Sequence, residues 1–231
     1  MAARVRELET AMRTVIFDLD GTLADTAPDL VGAMNMLLAE NGAPEAPFAE
    51  ARAIAGRGGK ALISFGFERA GRGVSREDVD RLFPRYLALY GARIDAETRL
   101  FDGALAALER LSASGARLGV CTNKPERLAL ELLERLDVLR FFSAVLGADT
   151  LPVRKPDPRH LFETIARAGG APERSVLIGD SQTDRDAARN AERPIILTSF
   201  GYALQPVASL RPDAIIDHYD GLDAALDRVL G

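Results

Sequence analysis

Several residue types that mark particular classes of protein are scarce in this sequence. Its 231 residues include one cysteine, Cys121, and two histidines. A lone cysteine forms no internal disulfide, and two histidines without clustered cysteines make no zinc-binding pattern. These scarcities exclude a disulfide-stabilised secreted domain and a structural zinc domain, and they fit a protein of the reducing cytoplasm.

An excess of basic residues and a long apolar run are missing as well. The 29 Lys and Arg residues are outnumbered by 34 Asp and Glu, which gives a net charge of -5. Without a basic surface we expect neither nucleic acid nor an anionic membrane as a partner. No apolar run approaches the roughly 20 residues that a membrane helix needs. Residues 1–11 mix Arg with Glu where a signal peptide would be apolar, so we interpret them as a disordered extension, with Met12 as an alternative start.

Short apolar runs are abundant, in a chain that is 47% hydrophobic. Runs of this length and composition are typical of strands buried on both faces of a sheet. Segments with helical spacing separate them, such as the one through Leu128, Leu132 and Leu133. This alternation predicts an α/β fold with a parallel sheet and right-handed crossovers. The predicted strands are residues 15–17, 118–121, 144–146, 176–178, 195–197 and 214–216.

The interval between the first two predicted strands is too long for one crossover and contains helical patterns only. One apolar stripe covers residues 30–38 and stops at Asn41, before a glycine. Another covers residues 79–90 and is preceded by Ser75, with Asp78 three residues later, which is a helix-capping pattern. We therefore predict an inserted α-helical cap domain at residues 25–95 and a core domain made of residues 12–24 and 96–231.

Reactive residues follow four of the predicted strands. In a parallel sheet, ligands bind beyond the carboxyl ends of the strands, so these residues are expected to meet at one edge. Several carboxylates there would repel one another unless a hard cation lay among them, and Mg²⁺ prefers such oxygen ligands. Carboxylates, Mg²⁺, a lysine and a threonine hydroxyl suit a transferring phosphoryl group. The residues are Asp18, Asp20, Gly21, Thr22, Thr122, Asn123, Lys155, Asp180 and Asp184.

In their order along the chain, these groups resemble the four motifs of the haloacid dehalogenase-like superfamily. The motifs are Asp18-x-Asp20-Gly21-Thr22, Thr122-Asn123, Lys155-Pro156 and Gly179-Asp180-Ser181-x-x-Asp184. Residues 17–30 are also similar to the phosphoglycolate phosphatase branch, as are residues 122–125 and the segment Phe200-Gly201-Tyr202. The resemblance implies a Rossmann-like, doubly wound parallel sheet with a helical cap inserted after the first motif.

The resemblance also implies a role for each matched residue. Asp18 would be the nucleophile and Asp20 the general acid and base. Thr122 and Asn123 would hold phosphoryl oxygens, and Lys155 would offset negative charge. The implied Mg²⁺ ligands are Asp18, the backbone carbonyl of Asp20, Asp180 and Asp184, while Gly21 and Thr22 belong to the substrate-binding turn.

We predict a Mg²⁺-dependent phosphatase that hydrolyses a small phosphorylated metabolite, with 2-phosphoglycolate favoured, and acts as a monomer or homodimer. A sugar phosphomutase and an inorganic pyrophosphatase share these core motifs and stay open. A phosphate-accepting signalling domain is the alternative that is not an enzyme. Asp20 argues against a dehalogenase, because cleavage of a carbon–halogen bond needs no protonated alkoxide.

Two further positions carry expectations. Arg57 lies in the glycine-rich segment 56–59 of the predicted cap, and a guanidinium suits a substrate carboxylate, so Arg57 is a candidate substrate contact. His160 is expected to face solvent or to cap the helix that follows Pro158.

Overall fold

The computed structural model describes residues 12–231, and the predicted disordered extension lies outside these residues. Its main sheet has six parallel strands in the order β5-β4-β1-β6-β7-β8. Each of the six apolar runs lies within one of these strands, so the prediction of a parallel sheet is confirmed. The strands are β1 Thr14–Phe17, β4 Arg117–Cys121, β5 Ala144–Leu146, β6 Ser175–Gly179, β7 Ile195–Thr198 and β8 Ala214–Ile216.

Strand β1 lies at the centre of the sheet, between β4 and β6. Phe17, its last residue, is paired with Val120 on one side and with Ile178 on the other. Because the three strands are parallel, their carboxyl ends meet at one edge. This register brings the residues that follow β1, β4 and β6 together.

Helices cover both faces of the sheet, as a doubly wound fold requires. Alternate residues of β1 face opposite sides: Val15 packs in the cluster that contains α5, α6 and α9, and Ile16 packs in the cluster that contains α7 and α8. The predicted fold class is therefore confirmed. The helices are α5 Ala104–Ala113, α6 Glu126–Arg135, α7 Pro158–Arg167, α8 Gln182–Asn190 and α9 Leu222–Leu230.

Four further helices lie between β1 and β4, inside the interval predicted as a cap. They pack on one another around buried side chains such as Met34, Ile63 and Tyr86. Ser75 and Asp78 form the expected capping box at the start of the fourth helix. The helices are α1 Ala27–Glu40, α2 Phe48–Ala55, α3 Gly59–Arg69 and α4 Arg76–Gly91. The bounds 25–95 remain a proposed division of the chain.

A two-stranded antiparallel ribbon joins these four helices to the sheet. It pairs β2, Ala24–Asp25, with β3, Arg99–Leu100. Buried Asp29 at the start of α1 accepts hydrogen bonds from the backbone N–H groups of Glu97 and Thr98, at 2.9 and 2.8 Å. The outgoing and returning segments are thereby held side by side. Among residues 12–231, no helix combines the length and the apolar character that crossing a membrane requires.

Candidate active site

The turn after β1 positions Asp18 and Asp20. The Asp18 backbone N–H donates to the Ile178 carbonyl at 2.8 Å, which continues the pairing of β1 with β6 by one residue. Gly21 follows with a φ of +78°, and a Cβ atom there would lie 2.4 Å from Oδ2 of Asp180. Glycine is therefore required both for the backbone conformation and for the close approach of Asp180.

Three buried carboxylates converge beside this turn. Asp18, Asp180 and Asp184 each place a carboxylate oxygen within 4.8 Å of the others. Burial raises the pKa of Asp18 to about 6, although Lys155 opposes the shift. Burial, with the nearby Asp184 and Asp18 carboxylates, raises the pKa of Asp180 well above its usual value. The protein alone therefore supplies too little positive charge for all three carboxylates.

Lys155 is the cation buried within this cluster. Its Nζ lies 2.9 Å from Oδ1 of Asp18 and 2.6 Å from Oδ1 of Asp184. Burial by itself would lower the pKa of Lys155, but these two carboxylates outweigh burial and raise that pKa. One ammonium against three carboxylates leaves a negative site built of oxygen ligands, which fits a divalent cation such as Mg²⁺.

The start of α8 holds Asp184 in place. Ser181 and Asp184 form a capping box, in which Oδ2 of Asp184 accepts from the Ser181 hydroxyl at 2.5 Å and from the Ser181 N–H at 3.1 Å. The other oxygen, Oδ1, accepts from Lys155. Both oxygens of Asp184 are thus engaged, whereas Asp18 and Asp180 lie closer to the open side of the cluster.

The loop after β7 holds Asp180. Oδ2 of Asp180 accepts a hydrogen bond from the Tyr202 backbone N–H at 2.6 Å, and a Cβ atom on Gly201 would lie 2.3 Å from Cβ of Asp180. The Tyr202 hydroxyl donates to Oδ1 of Asp25 at 2.7 Å, and the Arg52 guanidinium lies 5.1 Å from the centre of its ring. Tyr202 therefore contacts a carboxylate of the cluster, Asp25 just before the inserted helices and Arg52 within them.

The loops after β4 and β5 complete the site. Thr122 is buried and accepts from the Lys124 backbone N–H at 3.2 Å. The Asn123 side-chain amide donates to the Lys155 carbonyl at 3.1 Å, which ties the two loops together. This contact fixes the backbone that carries Lys155.

A cavity of about 160 Å³ lies between this edge of the sheet and the inserted helices. Gly21, Thr22 and Asp184 are not among its lining residues: Gly21 and Thr22 lie behind Asp180, and Asp184 lies behind Lys155. Polar residues of its wall include Asp18, Asp20, Arg57, Thr122, Asn123, Lys124, Lys155 and Asp180.

Known proteins match both this sequence and this fold. The model of the family described as haloacid dehalogenase-like hydrolase matches residues 15–198. The chain belongs to this family. A phosphoglycolate phosphatase of Caulobacter vibrioides is 46% identical over 206 residues, which cover 89% of this chain and 87% of the relative. One of Agrobacterium fabrum is 42% identical over 211 residues and 91% of each chain.

A solved structure supports the same relationship. It is a predicted phosphoglycolate phosphatase of Haemophilus somnus, with a TM-score of 0.84 and 28% sequence identity. The superposition covers 92% of this chain and 97% of that one. The sheet and the inserted helices of this haloacid dehalogenase-like hydrolase are therefore shared with a solved relative.

Lys124 lines the cavity of this hydrolase, although no role for it was predicted from the sequence. Its side chain is 3% exposed, and its Nζ lies 2.7 Å from Oδ1 of Asp20. The same oxygen of Asp20 accepts from the Thr26 hydroxyl at 2.6 Å. The signal in the sequence was position alone, since Lys124 follows Thr122 and Asn123 in a loop at the carboxyl end of a strand.

The expectation for His160 was wrong. Its side chain is fully buried on the sheet side of α7, where Nε2 contacts the Gly147 carbonyl at 3.0 Å and Nδ1 contacts Sγ of Cys121 at 3.4 Å. Burial and the charge of Lys155 lower the pKa of His160. The neutral ring then donates to the carbonyl and accepts from the thiol, a structural role beneath the site.

Proposed function

We propose that this hydrolase is a Mg²⁺-dependent phosphatase that hydrolyses 2-phosphoglycolate through an aspartyl-phosphate on Asp18. One observation carries the proposal: Asp18 and Asp20 line one small cavity together with Lys155, Thr122 and Asn123. The relatives named phosphoglycolate phosphatase support this choice of substrate. Asp18 has a cationic neighbour, and Asp20, two residues later, has donors on its carboxylate.

The first step forms a bond between a carboxylate oxygen of Asp18 and phosphorus. The bond between phosphorus and the ester oxygen breaks, and Asp20 gives its proton to that oxygen, so that glycolate leaves as an alcohol. Lys155 offsets the negative charge at Asp18, and Thr122 with the Asn123 backbone amide holds phosphoryl oxygens.

The second step hydrolyses the aspartyl-phosphate. Asp20, now ionised, takes a proton from water as the water oxygen attacks phosphorus, and the bond to Asp18 breaks. Inorganic phosphate leaves, Asp18 regains its carboxylate and Asp20 regains its proton. The same carboxylic acid thus serves both steps.

Mg²⁺ fits the carboxylate cluster, and the proposed ligands are Asp18, the backbone carbonyl of Asp20, and Asp180, with Asp184 supporting them. When bound, the ion would neutralise phosphoryl oxygens and orient them toward Asp18. The raised pKa values of Asp18 and Asp180 support a cation at this position.

The cavity favours a small substrate. A volume of about 160 Å³ under the inserted helices leaves room for a phosphoryl group and a leaving group of few atoms. Arg57, exposed at the cavity wall, forms no ion pair with residues 12–231 and stays a candidate contact for the substrate carboxylate. We place the enzyme in the cytoplasm, acting on a free metabolite as a monomer or homodimer.

A substrate panel tests the proposal. Phosphate release from 2-phosphoglycolate, glucose 1-phosphate and pyrophosphate is compared by kcat/KM with Mg²⁺, with Ca²⁺ and with a chelator, and Asp18→Asn serves as the inactive control. We expect 2-phosphoglycolate to lead, activity to vanish in chelator and return with Mg²⁺, and Ca²⁺ to inhibit because its looser coordination misplaces the reacting groups. A need for a sugar bisphosphate, or phosphate retained on Asp18 without turnover, would contradict the proposal.

A further inference from the structure

We propose that Lys124 recognises the carboxylate of the substrate. This assignment rests on the proposed function and adds a specificity residue to it. Lys124 lines the cavity, and its ammonium lies 4.5 Å from the centre of the Tyr90 ring of α4. The ammonium is therefore enclosed between the turn after β1 and the inserted helices.

The distance from Lys124 to Asp20 fits a two-carbon acid. To protonate the leaving oxygen, Asp20 must lie about 2.6 to 3.2 Å from it. In 2-phosphoglycolate one methylene separates that oxygen from the carboxylate, so bonds of about 1.5 Å keep the carboxylate oxygens within roughly 4 Å of it. Since Nζ of Lys124 lies 2.7 Å from Oδ1 of Asp20, the carboxylate comes within its reach.

Lys124 is nearly buried, with 3% of its side chain exposed, and its anionic partner in the structure is Asp20. A buried ammonium needs an anion in contact with it, because an unpaired buried charge is costly. A substrate carboxylate in this cavity would be such an anion, placed beside the group that protonates the leaving oxygen.

An unpaired donor lies beside Lys124. The Tyr90 hydroxyl is buried and has no hydrogen-bond partner among residues 12–231, although Tyr90 lines the same cavity. A buried hydroxyl without a partner costs free energy, so it indicates a polar group that comes with the substrate. Arg57 lies at the exposed wall and would lose more side-chain entropy on binding than enclosed Lys124.

The test uses three small substrates. Ethyl phosphate matches 2-phosphoglycolate in shape but has a methyl group instead of the carboxylate, and acetyl phosphate has a leaving group that needs no protonation. The quantity compared is the ratio of kcat/KM for 2-phosphoglycolate to that for ethyl phosphate. We expect Lys124→Met to lower this ratio about 10- to 100-fold, as the loss of a charged hydrogen bond predicts. Tyr90→Phe should lower the same ratio by a smaller factor.

Controls separate recognition from other effects. Lys60→Met makes the same change at a lysine paired with exposed Asp80 outside the cavity, and it should leave the ratio unchanged. Lys124→Arg keeps the charge and should restore much of the ratio. Lys124→Gln is measured as well as Lys124→Met. The result is taken from the variant whose thermal unfolding matches that of the wild type.

Each outcome has one meaning. Equal losses on 2-phosphoglycolate and ethyl phosphate, with acetyl phosphate spared, would assign Lys124 to the positioning of Asp20 and overturn the proposal. A ratio that falls in Arg57→Met but not in Lys124→Met would move recognition to Arg57. A wild-type ratio near one would instead refute 2-phosphoglycolate as the substrate, which separates failure of the proposed function from failure of this assignment.

Discussion

Replacing Asp18 by asparagine is expected to stabilise the metal-free protein at alkaline pH while it removes turnover. Turnover is lost because an amide is a poor nucleophile. The stability gain follows from burial, which raises the pKa of the Asp18 carboxyl from its usual 3.8 to about 6 against the attraction of Lys155. The folded protein therefore binds this proton more tightly than the unfolded chain does.

The sign and size of the effect follow from that pKa. In the wild type, the contribution of Asp18 to stability is fully present below about pH 4 and is lost as the pH rises through about 6. A shift of roughly two pKa units corresponds to about 3 kcal/mol. The uncharged amide suffers no such loss, so Asp18→Asn should exceed the wild type by about 3 kcal/mol at pH 8 and by little at pH 4.

Urea unfolding in the presence of a chelator, at several pH values between 4 and 8, measures the difference. Asp102→Asn, the same change at an exposed position, is the matched control. The difference in unfolding free energy between this variant and the wild type should change little with pH. Added Mg²⁺ should stabilise the wild type more than Asp18→Asn, because a ligand of the ion has been removed. If Asp18→Asn is equally or less stable than the wild type at pH 8 without metal, the ion pair with Lys155 outweighs burial and the reasoning fails.

Three further changes test other parts of the molecule. Gly201→Ala should raise the Mg²⁺ concentration needed for half-maximal activity at least about 10-fold, since the new Cβ would lie 2.3 Å from Cβ of Asp180; unchanged activation would contradict the packing described. Ser75→Ala should cost about 1 kcal/mol of unfolding free energy without changing kcat, because the capping box with Asp78 is lost, and equal urea midpoints would argue against that box. Burial raises the pKa of the Cys121 thiol to about 12, so alkylation at pH 8 should need denaturant and then modify one thiol per chain; rapid labelling of the native protein would show an open site.

The strands and helices could be predicted from the sequence more successfully than the order of the strands in the sheet. Strands buried on both faces are continuous apolar runs, so β1 and β6 were visible as short segments such as residues 15–17 and 176–178. That β1 and β6 are neighbours in the sheet could not be predicted, because the sequence of an apolar run does not indicate which strand it pairs with. The start of α4 could be predicted from Ser75 and Asp78, because a helix cap is a local interaction.

Within the site, the residues missed are those whose role depends on distant contacts. Lys124 looks like a loop lysine until its contact with Asp20, 104 residues away, is known. The role of Tyr202 depends on its contacts with Asp180 and with Asp25, which is 177 residues away. His160 was different, because it lies four residues before Thr164 and next to Leu161 in the helix, which places it on the buried face of α7. That periodicity was available in the sequence, and the expectation of an exposed ring overlooked it.

The central place of β1 sets an order of events during protein synthesis. The ribosome makes β1 first, but β4 begins at Arg117 and β6, which covers the other side of β1, begins at Ser175. At about 5–20 residues per second, roughly 160 residues of synthesis separate β1 from β6, or about 8 to 30 s. During that interval one edge of a strand whose four residues are all buried in the folded protein has no native partner. In a chain that stops before Ser175, this edge stays open to pairing with another chain, even when the helices of that chain are correctly formed.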